Sequence, residues 1–176
     1  PGALLLHPPG RMRLAMNAPI GGPVFTAVSD GVGLLLVMHR DKKAVLTDNF
    51  SDSMRSMFGL EVTPEFFSKA LMCSVPFDAS SPQRVDTSEE STVFHYEGLR
   101  GTRIEMSLQP SGMMGTLRAM NDQGVLELEL ECSNPKKVED QWMPGLISIS
   151  TPRLSTSLRL KFSDWEELTR IPDAFG

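Results

Sequence analysis

Two cysteines and three histidines carry the most distinctive chemistry in this chain of 176 residues, and their spacing limits what they can do. Cys73 and Cys132 stand 59 residues apart, which excludes a CxxC redox pair and a four-cysteine zinc site. They leave two readings open: one disulfide in an oxidising compartment, or two buried free thiols. His7, His39 and His95 sit in or beside apolar strand patterns, with no second ligand at helical or finger spacing, so the sequence spells no metal site. Ser133-Asn134-Pro135-Lys136 spells S-x-x-K, but in a proline-containing loop and without the second motif that penicillin-type chemistry needs. Gly31-Val32-Gly33 begins like a dinucleotide loop, yet Leu36 stands where the third glycine belongs and a strand follows. Asn49-Phe50-Ser51 matches a glycosylation acceptor, which has meaning only in a eukaryotic secretory context. The carboxylates fall mostly on outer strand faces, as with Glu127, Glu129 and Glu131, where solvation is their role. No nucleophile has a base beside it. The expectation is therefore a protein that is not an enzyme, with no catalytic residue, metal or cofactor.

Bulk charge narrows the partners. Seventeen Lys and Arg against 22 Asp and Glu give a net charge of −5, which argues against nucleic acid. No run approaches the roughly 20 apolar residues of a spanning helix; Leu34 to Met38 is the longest conspicuous aliphatic stretch. The sequence opens on Pro1-Gly2 with no basic segment leading into an apolar one, which reads as a mature chain or an excised piece. At this length and 40 % apolar content a single domain over residues 1–176 is expected. Its apolar set is unusual, with 11 Met and 9 Phe against one Tyr and two Trp. Much of its hydrophobic surface is therefore flexible and lacks a polar handle.

Period two dominates the chain. Leu126, Leu128, Leu130 and Cys132 alternate with three glutamates; Ile104, Met106 and Leu108 with Arg103, Glu105 and Ser107; Leu158, Leu160 and Phe162 with Ser157, Arg159 and Lys161. Met12, Leu14 and Met16 alternate with Arg11 and Arg13, and Ile147 and Ile149 with serines. Each reads as a strand with one wet face. Further strands are expected at Val24 to Ser29, which includes Phe25, at Leu34 to His39, which includes Met38, and at Lys43 to Thr47, Thr92 to Gly98 and Gly115 to Met120. Asp30-Gly31, Asp41-Lys42-Lys43, Pro110-Ser111-Gly112 and Asn121 to Gly124 carry turn chemistry, so successive strands form an antiparallel meander. One-sided alternation leaves an apolar face that must be covered. Two short helices supply the cover. Phe50, Met54, Met57 and Phe58 have helical spacing, with Ser51 or Asp52 as N-cap and Gly59 past the end. Thr63-Pro64-Glu65 opens a second helix that turns Phe66, Phe67, Ala70 and Leu71 inward. The polar segment from Pro76 to Ser91 reads as a long loop.

The order of these elements resembles the LolA/LolB family of bacterial lipoprotein carriers, especially the LolB-like outer-membrane lipoproteins. Gly10-Arg11-Met12-Arg13-Leu14 resembles the family's strand opening, Ala18-Pro19-Ile20-Gly21 its P-L-G loop, and Val24 to Val28 with Asp30-Gly31 the next strand and turn. A short helix ending at Phe58-Gly59-Leu60 and a second opened by Thr63-Pro64-Glu65 and ending near Leu71 to Pro76 follow in the family's order. The later strands match only as a pattern, ending at Leu158-Arg159-Leu160.

The resemblance implies a mainly β (α+β) fold: an open antiparallel half-barrel whose concave apolar face, lidded by short helices, holds the acyl chains of a lipoprotein or lipid. The candidate lipid-binding residues are then Met12, Leu14, Met16, Phe25, Met38, Ile104, Met106, Leu108, Ile147, Ile149, Leu158 and Leu160 on the strands, and Met54, Met57, Phe58, Phe66, Phe67 and Leu71 on the helices. Unbranched thioethers suit that task, since they repack around flexible chains. The alternative is that the same residues fill a close-packed core of a structural or adaptor lipoprotein in an envelope complex. The family also implies an apolar loop tip that enters the membrane on delivery, a place that Ile20 would hold, and a periplasmic carrier or envelope complex as partner. The implied location is the periplasmic side of the outer membrane, with a lipid anchor on the full-length protein. Members normally carry a signal peptide, often a lipidated Cys, then a helix and one or two strands before the region that Arg11 begins. Here only Ala3-Leu4-Leu5-Leu6 stands in that place.

Overall fold

The alternating segments become two antiparallel sheets. The computed structural model describes residues 1–7, 9–58, 62–74, 82–97 and 101–167, with backbone only at 57, 58 and 156. These group into two compact units, residues 1–69 and residues 70–167. Each has its own open sheet, and the fold class is the expected one: mostly antiparallel β with two short helices.

In the first unit β1 (Gly2–His7), β2 (Arg11–Asn17), β3 (Pro23–Asp30), β4 (Leu34–Met38) and β5 (Lys43–Thr47) pair in chain order. Ala3 to Leu6 lie in β1, the edge strand, registered Leu4 to Leu14 and Leu6 to Met12. The same register puts Met16 opposite Phe25 and Phe25 opposite Met38, so the predicted residues of three strands share one face. The turn after β3 is closed by Asp30, whose Oδ1 accepts the N–H groups of Val32 and Gly33, both at 2.8 Å.

The helices α1 (Phe50–Phe58) and α2 (Pro64–Leu71) form where expected, with one correction. The N-cap of α1 is Asn49, not Ser51 or Asp52. Its Oδ1 accepts the Asp52 N–H at 3.2 Å and its Nδ2 donates to the Asp52 carboxylate at 2.7 Å, a reciprocal cap that draws Phe50 into the first turn. Thr63 caps α2 through the Phe66 N–H at 3.1 Å, with Pro64 at the first helical position. Both helices meet the same end of the sheet. The Phe50 N–H donates to the Val32 carbonyl at 2.9 Å, and the Phe50 and Phe67 rings lie 6.0 Å apart. Gly10, at φ +141°, comes so close to the start of α2 that a Cβ would stand 2.8 Å from that of Pro64. Only glycine allows both that backbone and that approach. Gly59, expected past the end of α1, lies outside the described residues.

In the second unit β6 (Arg84–Thr87), β7 (Thr92–Glu97), β8 (Arg103–Leu108), β9 (Met114–Met120), β10 (Leu126–Ser133), β13 (Leu146–Thr151) and β14 (Thr156–Lys161) make a seven-stranded sheet in the order β14-β13-β10-β9-β8-β7-β6. A small hairpin, β11 (Lys136–Val138) and β12 (Gln141–Met143), leaves the sheet between β10 and β13. Residues 76–91 are not all loop: β6 lies within them, and 75–81 are outside the described residues. An exposed edge strand needs only one apolar residue, here Val85, so it leaves no hydrophobic alternation to read.

Candidate functional site

The inner face of the five-stranded sheet changes character along its strands. At the helix end, Met12, Ser29, Leu34 and Phe50 are fully buried. In the middle, Leu14 is half-buried while Ala27 and Leu36 are closed in. At the far end the row Met16, Phe25 and Met38 is half-buried throughout. Among the described strand residues of this face, the accessible Met and Phe lie at the end away from the helices.

That same end carries the loop between β2 and β3. Ala18 donates its N–H to the Gly22 carbonyl at 3.2 Å, Gly21 takes φ +123°, and prolines stand at 19 and 23. The closed turn leaves Ile20 at its tip, 95 % exposed. An isoleucine so placed gains almost nothing from the fold, since little of it is removed from water.

On the helices, Met54 is buried one turn after Phe50, and Ala70 and Leu71 are buried at the end of α2. Phe66 and Phe67, expected inward, are only half-buried; the fully buried position between them and Ala70 is Ser68, whose Oγ donates to the Glu65 carbonyl at 3.0 Å. Short polar side chains satisfied within their own helix can occupy the inner line as well as apolar ones. Met57 and Phe58 belong to α1, and their side chains lie outside the described residues.

The seven-stranded sheet has its own apolar face. Register carries one row from Val85 through Phe94, Met106, Leu117, Leu130 and Ile149 to Leu158. Met106, Leu117, Leu130 and Ile149 are buried at its centre, whereas Val85 and Leu158, on the two edge strands, are exposed. Ile104 is buried in the row on one side; Ile147 and Leu160 are buried and Leu108 half-buried in the row on the other. Sequence reasoning missed Phe94, Leu117 and the consecutive pair Met113 and Met114, both buried. Leu117 had a signal in the alternation of β9. Met113 and Met114 had none, because the register shifts at Ser107/Leu108 and two successive side chains turn inward.

Cys73 and Cys132 are joined as a disulfide, which decides between the two readings. The bridge ties the chain just past α2 to the buried face of β10, and the Met114 N–H donates to the Cys73 carbonyl at 3.0 Å.

The outer face of this sheet is a ladder of charge. His95 Nε2 lies 3.0 Å from Asp86 and its Nδ1 3.6 Å from Glu105; Arg118 reaches Glu129 at 2.8 Å and Arg153 reaches Glu127 at 3.7 Å. The Arg84 guanidinium, then His95, hold the Asp86 carboxyl below the ordinary aspartate range. These carboxylates have neighbours and solvent, as expected for an outer face. Among the described residues no three His, Cys, Asp or Glu side chains converge on a common point. His39 is held by Thr26, Nε2 to Oγ1 at 2.9 Å.

No family model and no curated protein matches the chain by sequence. Solved structures do. A putative outer membrane lipoprotein-sorting protein domain from Vibrio parahaemolyticus superposes with a TM-score of 0.61 at 14 % identity, over 97 % of this chain and 77 % of the other. The LolA superfamily protein NE2245 from Nitrosomonas europaea gives 0.60 at 13 %, over 98 % and 78 %. The fold is LolA-like. A DUF1329 family protein from Desulfovibrio piger, at 0.60 and 11 % over 94 % and 75 %, shares it. At these identities the likeness is one of fold, and the side chains that dress it belong to this chain.

Proposed function

We propose that this chain is a LolA-like domain that holds acyl chains without catalysing a reaction, serving lipoprotein localisation in the bacterial envelope. The observation that carries the reading is the half-buried row Met16, Phe25 and Met38, opening at the same end of the sheet as the exposed Ile20. Thioether and aromatic side chains left accessible beside a projecting apolar loop suit a site that takes up a lipid chain where it leaves a membrane. Ile20 enters the bilayer in this reading. The neighbours described as LolA superfamily and lipoprotein-sorting proteins support it, and the Cys73–Cys132 disulfide supports an oxidising compartment such as the periplasm. The finer reading is a LolB-like receptor on the periplasmic side of the outer membrane, lipid-anchored in its full-length form and receiving cargo from a periplasmic carrier.

Thermal unfolding with and without a ligand tests it. A peptide carrying a diacylglyceryl cysteine raises Tm, by several degrees at about 100 times its Kd, and the same peptide without lipid does not. Equal, negligible effects of both would sink the reading. A second reading is an adaptor of an envelope complex that fills the fold with its own side chains. The complete burial of Met106, Leu117, Leu130 and Ile147 favours it, and it predicts protection by neither peptide.

A further inference from the structure

The β4–β5 turn lies at the same end of the five-stranded sheet as the Ile20 loop, because β2 and β4 run the same way. The His39 N–H donates to the Val24 carbonyl at 3.0 Å, and Met38 pairs with Phe25, so this turn begins beside the strand that leaves the loop. It presents Arg40, Lys42 and Lys43, all exposed, against one carboxylate, Asp41. Among the described residues none of the three cations is in an ion pair. The turn is built rather than trailing: His39 is fixed to Thr26 at 2.9 Å, and Lys42 takes φ 51°. The other end of the sheet, with α1, carries Asp30, Asp48 and Asp52 against Arg11 and Arg55. A chain of net charge −5 thus concentrates positive charge without ion-pair partners among the described residues beside the exposed Ile20.

We infer that Arg40, Lys42 and Lys43 form a contact for an anionic bilayer surface, seating the headgroups while Ile20 enters the apolar layer. The inference rests on the membrane role given to Ile20 above, and adds the class of lipid recognised. An apolar tip alone selects depth and not headgroup. Three cations beside it draw the domain to phosphate-bearing lipids through a surface potential that acts over about a Debye length. The same turn orients the domain, with the Met16–Phe25–Met38 end of the sheet towards the membrane.

Flotation of the whole chain with vesicles tests both parts. Vesicles of phosphatidylcholine alone are compared with vesicles containing 30 % phosphatidylglycerol, for the wild type, Ile20→Glu, and the triple variant Arg40→Gln, Lys42→Gln, Lys43→Gln. The wild type partitions to anionic vesicles, less so as KCl is raised from 50 to 500 mM, and weakly to neutral ones. The triple variant loses roughly a hundredfold in partition to anionic vesicles, at about fivefold per cation, and is unchanged on neutral ones. Loss on Ile20→Glu alone, with the triple variant at wild-type level, overturns the cationic contact and leaves the loop intact. Loss in the triple variant alone keeps the contact and removes the loop. Salt-insensitive wild-type binding, equal on both vesicles, overturns the inference without any variant, as does binding to neither with capture of an acidic protein instead.

Discussion

Asp30 shows how much one side chain can set. Its carboxylate accepts two backbone N–H groups at 2.8 Å, from Gly33 and Val32, and these hold its pKa below the ordinary aspartate value of 3.8. A folded-state pKa lowered in this way contributes stability above the unfolded value, and the contribution disappears as pH falls through the folded value. The stability difference between wild type and Asp30→Ala is therefore present at pH 6 and shrinks below about pH 4. Urea titrations at pH 6, 4 and 2.5 measure it. A difference constant across that range would mean that the turn is held by its glycines and not by the carboxylate. Asp86, lowered chiefly by Arg84, belongs to the same class but sits on an edge strand open to solvent.

At the scale of the element, rows of a sheet separate a residue that holds the fold from one placed to meet a ligand. Leu117 has no exposed surface and lies at the centre of its row, so Leu117→Ala costs about 2–5 kcal/mol. Phe25 is half-buried at the open end, so Phe25→Ala costs less stability while removing more of the Tm rise given by a lipidated peptide. Chemical denaturation and ligand-induced thermal shift on the two variants check the reversed ranking; the same ranking in both would assign Phe25 to the core. Most elements could be read from sequence because their burial is one-sided. The strands of Met12, Met106 and Leu130 write their register in alternation, and Thr63-Pro64-Glu65 writes the start of α2. What escaped reading lacks such a period: β6 is an edge with one apolar residue, β11 and β12 are three residues each, and Met113 and Met114 sit at a register shift. The cap of α1 was misplaced by the same logic, since Asn49, Ser51 and Asp52 all have cap chemistry and only the position of Phe50 chooses among them. Candidate site residues could be located to a face, but which end of that face stays open depends on where the helices meet the sheet, through Gly10 and Val32.

For the whole molecule the Cys73–Cys132 disulfide is a constraint on the unfolded chain. Cys73 and Cys132 close a loop of 59 residues that contains β6 to β9 and part of β10, so the bridge restricts most of the second unit's strands when unfolded. By loop length it contributes roughly 4 kcal/mol, a large share of the 5–15 kcal/mol typical of a domain. Both cysteines are buried, so the bond is shielded from reductant until the chain opens. Reduction after unfolding, or the double variant Cys73→Ala, Cys132→Ala, lowers Tm by about 10 °C for a chain of this size. Correspondingly, yield of folded protein falls when the chain is made in a reducing compartment and recovers when it is exported to an oxidising one. The readouts are the melting curve with and without reductant and the fraction of blocked thiols in each compartment. If the double variant melts at the wild-type temperature, the bridge does not restrict the unfolded chain as its loop length implies.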